Sequence, residues 1–414
     1  MEPNPAADRT SAYFVLKLAH ALHTSGMPSH QVEDTLVAVA ARLRTPMQFL
    51  ATPTSIMASS GPLEDQRIHL VRVEPGEQDL GRLSAVYSIA RSVLRNDISP
   101  AEGIVRLEEA QSYPVRYNKV TTVLAMGLSS LAAARFLGGG TREVLVAAAI
   151  GLVLGLLSVV AAQVSGVRRL FEPLAAFVAA ALTALASHLL GPLAVSLATL
   201  AGIIILLPGY TLTVAITELA DKHLVAGTAR LFGAFTTFIL IAMGVAIGGE
   251  LVQSVLGETP AADPLPAAPW TVSLALLAAP LAFTVLLKAQ PKAAPWILLT
   301  CLAGFAGTRL GSLVLAPELG VFVGALVVGL AGSAYFRING RPAAIVQVPG
   351  ILLLVPGSVG FRSLTSLLDR DVVPGMEAAV LTITMAAALA AGLLIASVAA
   401  PTRITRGIDP GSAG

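Results

Sequence analysis

Three carboxylates and two guanidiniums stand out because they lie in or beside stretches too apolar to solvate a charge. Glu218 and Asp221 follow the run AGIIILLPGYTLTVAIT, and Asp369 closes PGILLLVPGSVGFRSLTSLL. Arg309 lies inside LAGFAGTRLGSL, and Arg362 stands five residues past Gly357. Ionisable side chains are costly inside a bilayer and face the bundle interior by default. Partial burial raises a carboxylate towards neutrality and suits it to carry a proton, so Glu218, Asp221 and Asp369 are candidates for proton coupling. A guanidinium offers a planar fork to a carboxylate, so Arg309 and Arg362 are candidates for holding an acidic group of a substrate. Two simpler roles stay open. Arg309 can pair with Glu250 or Glu318, and the acids can be helix-end residues at the water interface, Asp369 above all because Arg370 and Asp371 follow it.

The elements that carry these groups are two interrupted helices. Proline lacks a donor and clashes with the preceding turn, while glycine permits backbone that other residues resist. Pro208-Gly209 and Pro356-Gly357 are therefore expected breaks. They stand 148 residues apart, and over the 26 positions from Gly202 to Gly227 ten residues recur at that offset, including Thr217/Thr365, Leu219/Leu367, Asp221/Asp369 and Gly227/Gly375. A break in lipid is tolerated mainly where it faces protein or a wet cavity. The matched pair is thus expected to frame a binding site, with Thr211, Thr213 and Ser358 among its polar lining.

Of 414 residues, 55% are hydrophobic and 13% charged, with mean hydropathy +0.77. A soluble domain carries roughly 25% charged residues, so most of the chain is expected in a lipid bilayer. Ten apolar stretches approach the roughly 20 residues that cross a membrane: 120–137, 144–164, 173–190, 193–216, 231–253, 270–288, 294–315, 318–336, 343–367 and 376–400. The loop GETPAADPLPAAP, 257–269, separates two groups of five. Every second boundary carries two basic residues, Arg116/Lys119, Arg168/Arg169, Lys222/Arg230, Lys288/Lys292, Arg337/Arg341 and Arg403/Arg406, whereas the opposite boundaries carry Arg135 and Arg142, then none at three, and finally Arg370. By the positive-inside rule both termini are cytoplasmic. Halves with an odd number of spans insert in opposite orientations, so the expected fold is an α-helical polytopic membrane protein with ten helices in a 5+5 inverted-topology repeat, 120–256 and 270–402. Such repeats belong to secondary transporters, whose substrate sites lie where discontinuous helices meet.

Residues 1–119 hold 25 of the chain's 52 charged residues and read as a small cytoplasmic α+β domain. Phe14, Leu18 and Leu22 mark one helix, and Val32, Leu36, Val39 and Leu43 a second that Ser29 caps. Two stretches, 47–60 and 67–73, read as strands. Asp79 and Ser99-Pro100 open two further helices. His20, His23 and His30, with Glu33, Asp34 and His69, form no HExxH or CxxC spacing, so no metal or cofactor is expected. Thr52-Pro53-Thr54-Ser55 offers hydroxyls without a GxSxG context, and no catalytic residue is assigned. The net charge of +2 argues against a nucleic-acid partner. The single cysteine, Cys301, forms no internal disulfide. The first residues, MEPNPAADRT, lack a basic region followed by an apolar one, so no cleaved signal is expected.

The stretches GMPSHQVEDTLVAVAARL (26–43), ATPTSI (51–56), LLPGYTLTVAITELADKHLVAGTARL (206–231) and LLVPGSVGFRSLTSLL (353–368), in this order, resemble the threonine/serine exporter family over nearly the whole chain. The resemblance implies export of small hydroxy amino acids across the inner (plasma) membrane, driven by the membrane potential or proton gradient. It also implies a cytoplasmic domain suspected of hydrolase-like activity on peptides. Similar proteins split into two chains resemble dicarboxylate exporters, so a dicarboxylate is the alternative cargo. The expected partners are a small-molecule amino acid, protons, the lipid bilayer and, where the chain self-associates, a homo-oligomer.

Overall fold

The computed structural model describes residues 5–61, 63–74, 77–113, 116–164, 166, 170–316, 319–355, 357–368, 370–402 and 404–405. Arg168, Arg169, Glu318, Pro356, Asp369, Arg403 and Arg406 lie outside the described residues.

The N-terminal lobe begins with α1 (Pro5–Thr24) and α2 (Ser29–Arg42). Phe14, Leu18 and Leu22 on α1 and Val32, Leu36 and Val39 on α2 are fully buried, as their spacing requires. Three antiparallel strands follow in the order β1 (Met47–Thr52), β2 (Ser55–Ser60), β3 (Arg67–Arg72). The Thr52 and Ser55 hydroxyls are 2.9 Å apart, and Thr52 Oγ1 also accepts the Ser55 N–H, so these groups close the β1–β2 turn. Next come α3 (Leu80–Leu94) and α4 (Pro100–Ser112). Asp79 caps α3 through the Arg82 N–H at 2.8 Å, and Ser99 caps α4 through the Glu102 N–H. One expected cap differs. The N-cap of α2 is Pro28, and Ser29 is its first helical residue, so the Ser29 N–H is left for a partner outside the helix.

Twelve helices follow among the described residues: α5 (Lys119–Phe136), α6 (Thr141–Ala161), α7 (Phe171–Leu190), α8 (Val195–Gly202), α9 (Gly209–Ala220), α10 (Leu224–Leu256), α11 (Thr271–Leu286), α12 (Ala294–Val314), α13 (Gly320–Asn339), α14 (Ala344–Leu354), α15 (Gly357–Leu368) and α16 (Val372–Ala399). Seven segments are long and apolar enough to cross a membrane, or eight if the bent pair α8–α9 counts as one span. The protein is therefore a multi-pass membrane protein. Ten spans were expected. Of the remaining two helices, α11 is shorter, at 16 residues with Pro280 inside it, and α5 carries Thr121, Thr122, Ser129 and Ser130 along its apolar length.

Among the described residues, contacts between helix ends fall into two groups, one of them against the lobe. In the group against the lobe, the Tyr117 hydroxyl donates to Ala289 O at 2.8 Å and the Leu80 N–H to Leu287 O at 3.0 Å. Lys288 pairs with Glu77, Arg91 donates to Gly340 O, and Arg341 donates to the Ser84 hydroxyl. In the other group, Arg135 donates to the Thr271 hydroxyl, the Ala194 N–H to Glu143, and the Ser187 hydroxyl to Pro260 O. Helix α5 runs from one group to the other. Its 18 residues rise about 27 Å at 1.5 Å each. The lobe is not loosely tethered. One apolar cluster runs from Phe14, Leu18 and Leu83 into Phe283, Ile297 and Val346 of the helical part, and Tyr87 meets Phe336 edge-on at 6.3 Å.

Candidate functional site: two helix breaks in contact

Helix α8 ends at Gly202, passes through one 3-10 turn (Ile204–Leu206) and restarts at Gly209, with a bend of 54°. Pro208 supplies no N–H, so the α8 ladder cannot continue through it. The chain is extended at Leu207 (φ −68°, ψ 129°), and the new helix begins with the Leu212 N–H on Pro208 O. At the second break the described backbone shares only the extended residue before the new helix, and Ala344–Leu367 counts as one span, without a 3-10 turn among the described residues. Helix α14 ends at Leu354, the residue after it, Val355, is extended with φ −68° and ψ 138°, and α15 begins at Gly357.

These two breaks touch. A Cβ placed on Gly209 would overlap the Val355 side chain and stand 3.1 Å from Gly357 Cα and N. One on Gly357 would stand 3.4 Å from Leu207 Cβ and 3.5 Å from Gly209 Cα. Glycine at 209 thus answers first to the close approach of the Val355 side chain and then to that of the Gly357 backbone, not to its own dihedral angles.

Beyond the breaks the backbones stay parallel in detail. Lys222 and Arg370 both adopt left-handed conformations, φ 64° and 65°. The His223 N–H reaches Glu218 O at 2.8 Å, and the Asp371 N–H reaches Ser366 O at 2.8 Å. The Lys222 N–H to Leu219 O and the Arg370 N–H to Leu367 O bonds are each 3.2 Å. Gly227 packs on Leu219 and Gly375 on Leu367.

The candidate residues divide into three groups. Gly209, Thr213 and Gly357 are buried at or beside the contact, with Pro208, Thr211 and Ser358 half-buried around them. The Thr213 hydroxyl donates to Gly209 O at 3.2 Å and that of Thr217 to Thr213 O at 2.9 Å, so both are satisfied along their own helix. Arg362 is exposed on α15, and Arg309 is exposed on α12 with its guanidinium 5.7 Å above the Phe305 ring. Asp221 is about half exposed at the end of α9.

Glu218 has a different setting from the rest. Its side chain is fully buried. It accepts the Arg230 Nε–H at 3.0 Å and the Ser29 N–H at 3.0 Å, and His30 Nδ1 lies 3.8 Å away. Arg230 also reaches the Ser29 hydroxyl at 3.4 Å. Beside this knot His223 pairs with Glu33 at 3.4 Å, its ring 5.9 Å from that of His30. Glu33 in turn accepts the Ala51 N–H at 2.7 Å. The α2 N-terminus therefore sits on the tail of the first break, where its unpaired N–H groups favour an anion. Sequence reasoning missed Ser29, Arg230 and His30 as partners of Glu218, and Glu33 as the partner of His223. The only signal was proline immediately before Ser29, which leaves the first turn of α2 without a side-chain cap. The other histidines are dispersed: His23 Nε2 donates to Thr52 O at 2.9 Å, His20 lies 3.4 Å from Gln111, and His69 is exposed on β3.

Comparison with known proteins follows the same lines. Residues 272–399 match the family model described as Threonine/Serine exporter, ThrE, and residues 13–252 match a companion threonine/serine exporter model. The chain is 26% identical over 361 residues to the pheromone-regulated membrane protein 10 of Eremothecium gossypii, covering 84% of this chain and 48% of that protein. The proteins of that name in Candida albicans and Debaryomyces hansenii are each 25% identical, again over 84% of this chain, and over 33% and 36% of their own length. The chain thus spans less than half the length of these curated relatives. No solved structure matches. With both models matching in order along a multi-pass helical chain, the protein belongs to the threonine/serine exporter family.

Proposed function

We propose that the protein is a secondary-active exporter of small amino acids of the threonine/serine class, driven by the proton motive force. Family membership points to a transporter rather than an enzyme. The observation that carries the reading is the contact between the two breaks at Gly209 and Gly357. Interrupted helices free backbone donors and acceptors, and transporters use such termini to hold the charged ends of a substrate near the midplane. In this reading Pro208, Gly209, Thr211, Thr213, Pro356, Gly357 and Ser358 frame the substrate. Arg362, on the second broken helix itself, receives its carboxylate, with Arg309 as the second candidate. Glu218, Asp221 and Asp369 take part in proton coupling.

The transport cycle is alternating access between two inverted five-span halves, 120–256 and 270–402, with the lobe, 1–119, on the cytoplasmic side of the inner membrane. Supporting the repeat, α9 and α15, and likewise α10 and α16, begin 148 residues apart. Supporting the orientation, the basic boundaries at 222–230, 288–292 and 337–341 all lie against the lobe, as the positive-inside rule requires of the cytoplasmic side.

The test is uptake by proteoliposomes with an imposed pH gradient, comparing threonine and serine with dicarboxylates. Gradient-driven accumulation of hydroxy amino acids is expected. Accumulation of dicarboxylates alone moves the cargo to the alternative class, and no accumulation of either sinks the exporter reading. If Arg309→Ala, Arg362→Gln and Asp221→Asn all transport like the parent, the residue assignment fails while the exporter reading stands.

A further inference from the structure

The junction between the lobe and the helical part holds a cleft of about 640 Å³ that none of the transport reading uses. One wall is α3, contributing Ser88, Arg91, Ser92 and Arg95. The other is the end of α13 and the turn after it, contributing Arg337, Asn339 and Arg341. Four guanidiniums thus converge on one space, and among the described residues no carboxylate lines it. Two of them are anchored by the junction itself, Arg91 on Gly340 O at 2.9 Å and Arg341 on the Ser84 hydroxyl at 2.6 Å. Arg95 and Arg337 are exposed and make no ion pair among the described residues.

Membrane topology alone explains only half of this arrangement. Arginines at the end of a membrane helix orient it, which accounts for Arg337 and Arg341. It does not account for two more on the lobe, facing them across the interface. Like charges set opposite one another weaken an interface, so the lobe docks here against its own electrostatics unless an anion fills the space. The remaining lining is suited to an oxyanion: two serine hydroxyls and an asparagine amide add neutral hydrogen-bonding groups, and guanidinium forks match phosphate geometry. The cleft has the size of a small-molecule site. It also opens where a candidate membrane helix ends, and Ile338, 67% exposed, stands next to Arg337 in its lining. An apolar side chain beside a cationic cradle at a helix end is the setting in which phospholipid headgroups bind.

We propose that this cleft binds a phosphate-bearing anion that bridges Arg91 and Arg95 of the lobe to Arg337 and Arg341 of the helical part, clamping the two together. The phosphate belongs either to a phospholipid headgroup or to a soluble ion.

The test uses the full chain in nanodiscs of phosphatidylcholine with or without phosphatidylglycerol, and in detergent with or without inorganic phosphate. Bound lipid is read by native mass spectrometry and stability by thermal melting. Preferential retention of phosphatidylglycerol, lost about tenfold in Arg95→Gln/Arg337→Gln, is expected if the source is lipid. A rise in melting temperature with phosphate, absent in that variant, assigns the site to a soluble ion. Both side chains are exposed, so the variant should fold; Lys17→Gln, remote on α1, controls for a general loss of charge. Each single variant, read separately, keeps the test decisive if the double variant does not fold. Equal retention of neutral and anionic lipid together with no response to phosphate overturns the proposal, as does a folded double variant that binds as the parent does.

Discussion

The tails of the two breaks have nearly the same backbone and opposite chemistry. After the first, α9 ends in a turn whose hydrogen bonds recur after α15 to within 0.1 Å: 2.8 Å in both copies, 3.2 Å in both, then 2.9 against 3.0 Å. Yet where the first copy has Glu218, His223 and Arg230, the second has Ser366, Asp371 and Ala378. The first tail is charged and roofed by the N-terminus of α2. The second has a half-buried serine in place of the buried carboxylate. The difference teaches that backbone and chemistry are specified separately here. Proline, glycine and the spacing of apolar residues set the turn twice, and among the described residues only the copy beneath the lobe holds a buried ion pair.

The largest effect that can break this comparison comes from its charged side. Glu218→Ala leaves the Arg230 charge without its carboxylate, and Arg230→Ala does the converse. Removing one partner of a buried pair costs about 3–5 kcal/mol, so both variants should show a large fall in melting temperature. Ser366→Ala, at the matching place, should stay within about 0.5 kcal/mol of the parent. Equal effects in the two tails would mean that the lobe contact at Glu218 carries no special weight.

Next comes the contact between the breaks. Gly209→Ala drives a methyl into Val355 and the Gly357 backbone, an overpacking that costs about 1–3 kcal/mol and should abolish transport. Gly357→Ala meets its nearest atom only at 3.4 Å and should be the milder of the two in both melting and uptake. The reverse order would show that the breaks separate more readily from the first side than from the second.

A pH effect should belong to the lobe side alone. Burial holds the His23 imidazole below its usual 6.5, and His20 is lowered for the same reason. The unfolded chain therefore takes up these protons first as pH falls. The stability they contribute is present above about pH 6.5 and is lost as pH drops through their folded values. Melting measured between pH 7.5 and 5 should fall towards acid, and His23→Gln should flatten the slope; an unchanged slope would place the sensitivity elsewhere. The smallest effect is expected of Asp221→Asn, which is half exposed and should change melting by less than about 0.5 kcal/mol, whatever it does to proton-driven uptake.

Much of the fold was legible because its signals are local. Phe14, Leu18 and Leu22 declare a buried helical face by spacing, Asp79 and Ser99 declare caps, and Pro208-Gly209 and Pro356-Gly357 declare interruptions. The site was legible only in part. Thr213 and Gly209 were found because the break that places them lies in one stretch of chain. Ser29 was read as a cap and proved to offer its N–H to Glu218, a residue 189 positions away, and nothing local to either residue encodes that pairing.

The sequence by itself determined that this chain is a multi-pass membrane protein with two matched broken helices and an N-terminal α+β lobe, because hydropathy, proline and glycine act within a few residues of where they stand. Tertiary structure decided that the breaks meet backbone to backbone, that Glu218 is locked beneath the lobe while Asp221 stays half exposed, and that four arginines share one cleft. Those outcomes depend on which distant surfaces pack together, and burial changes a charge's energy far more than its place in the chain does.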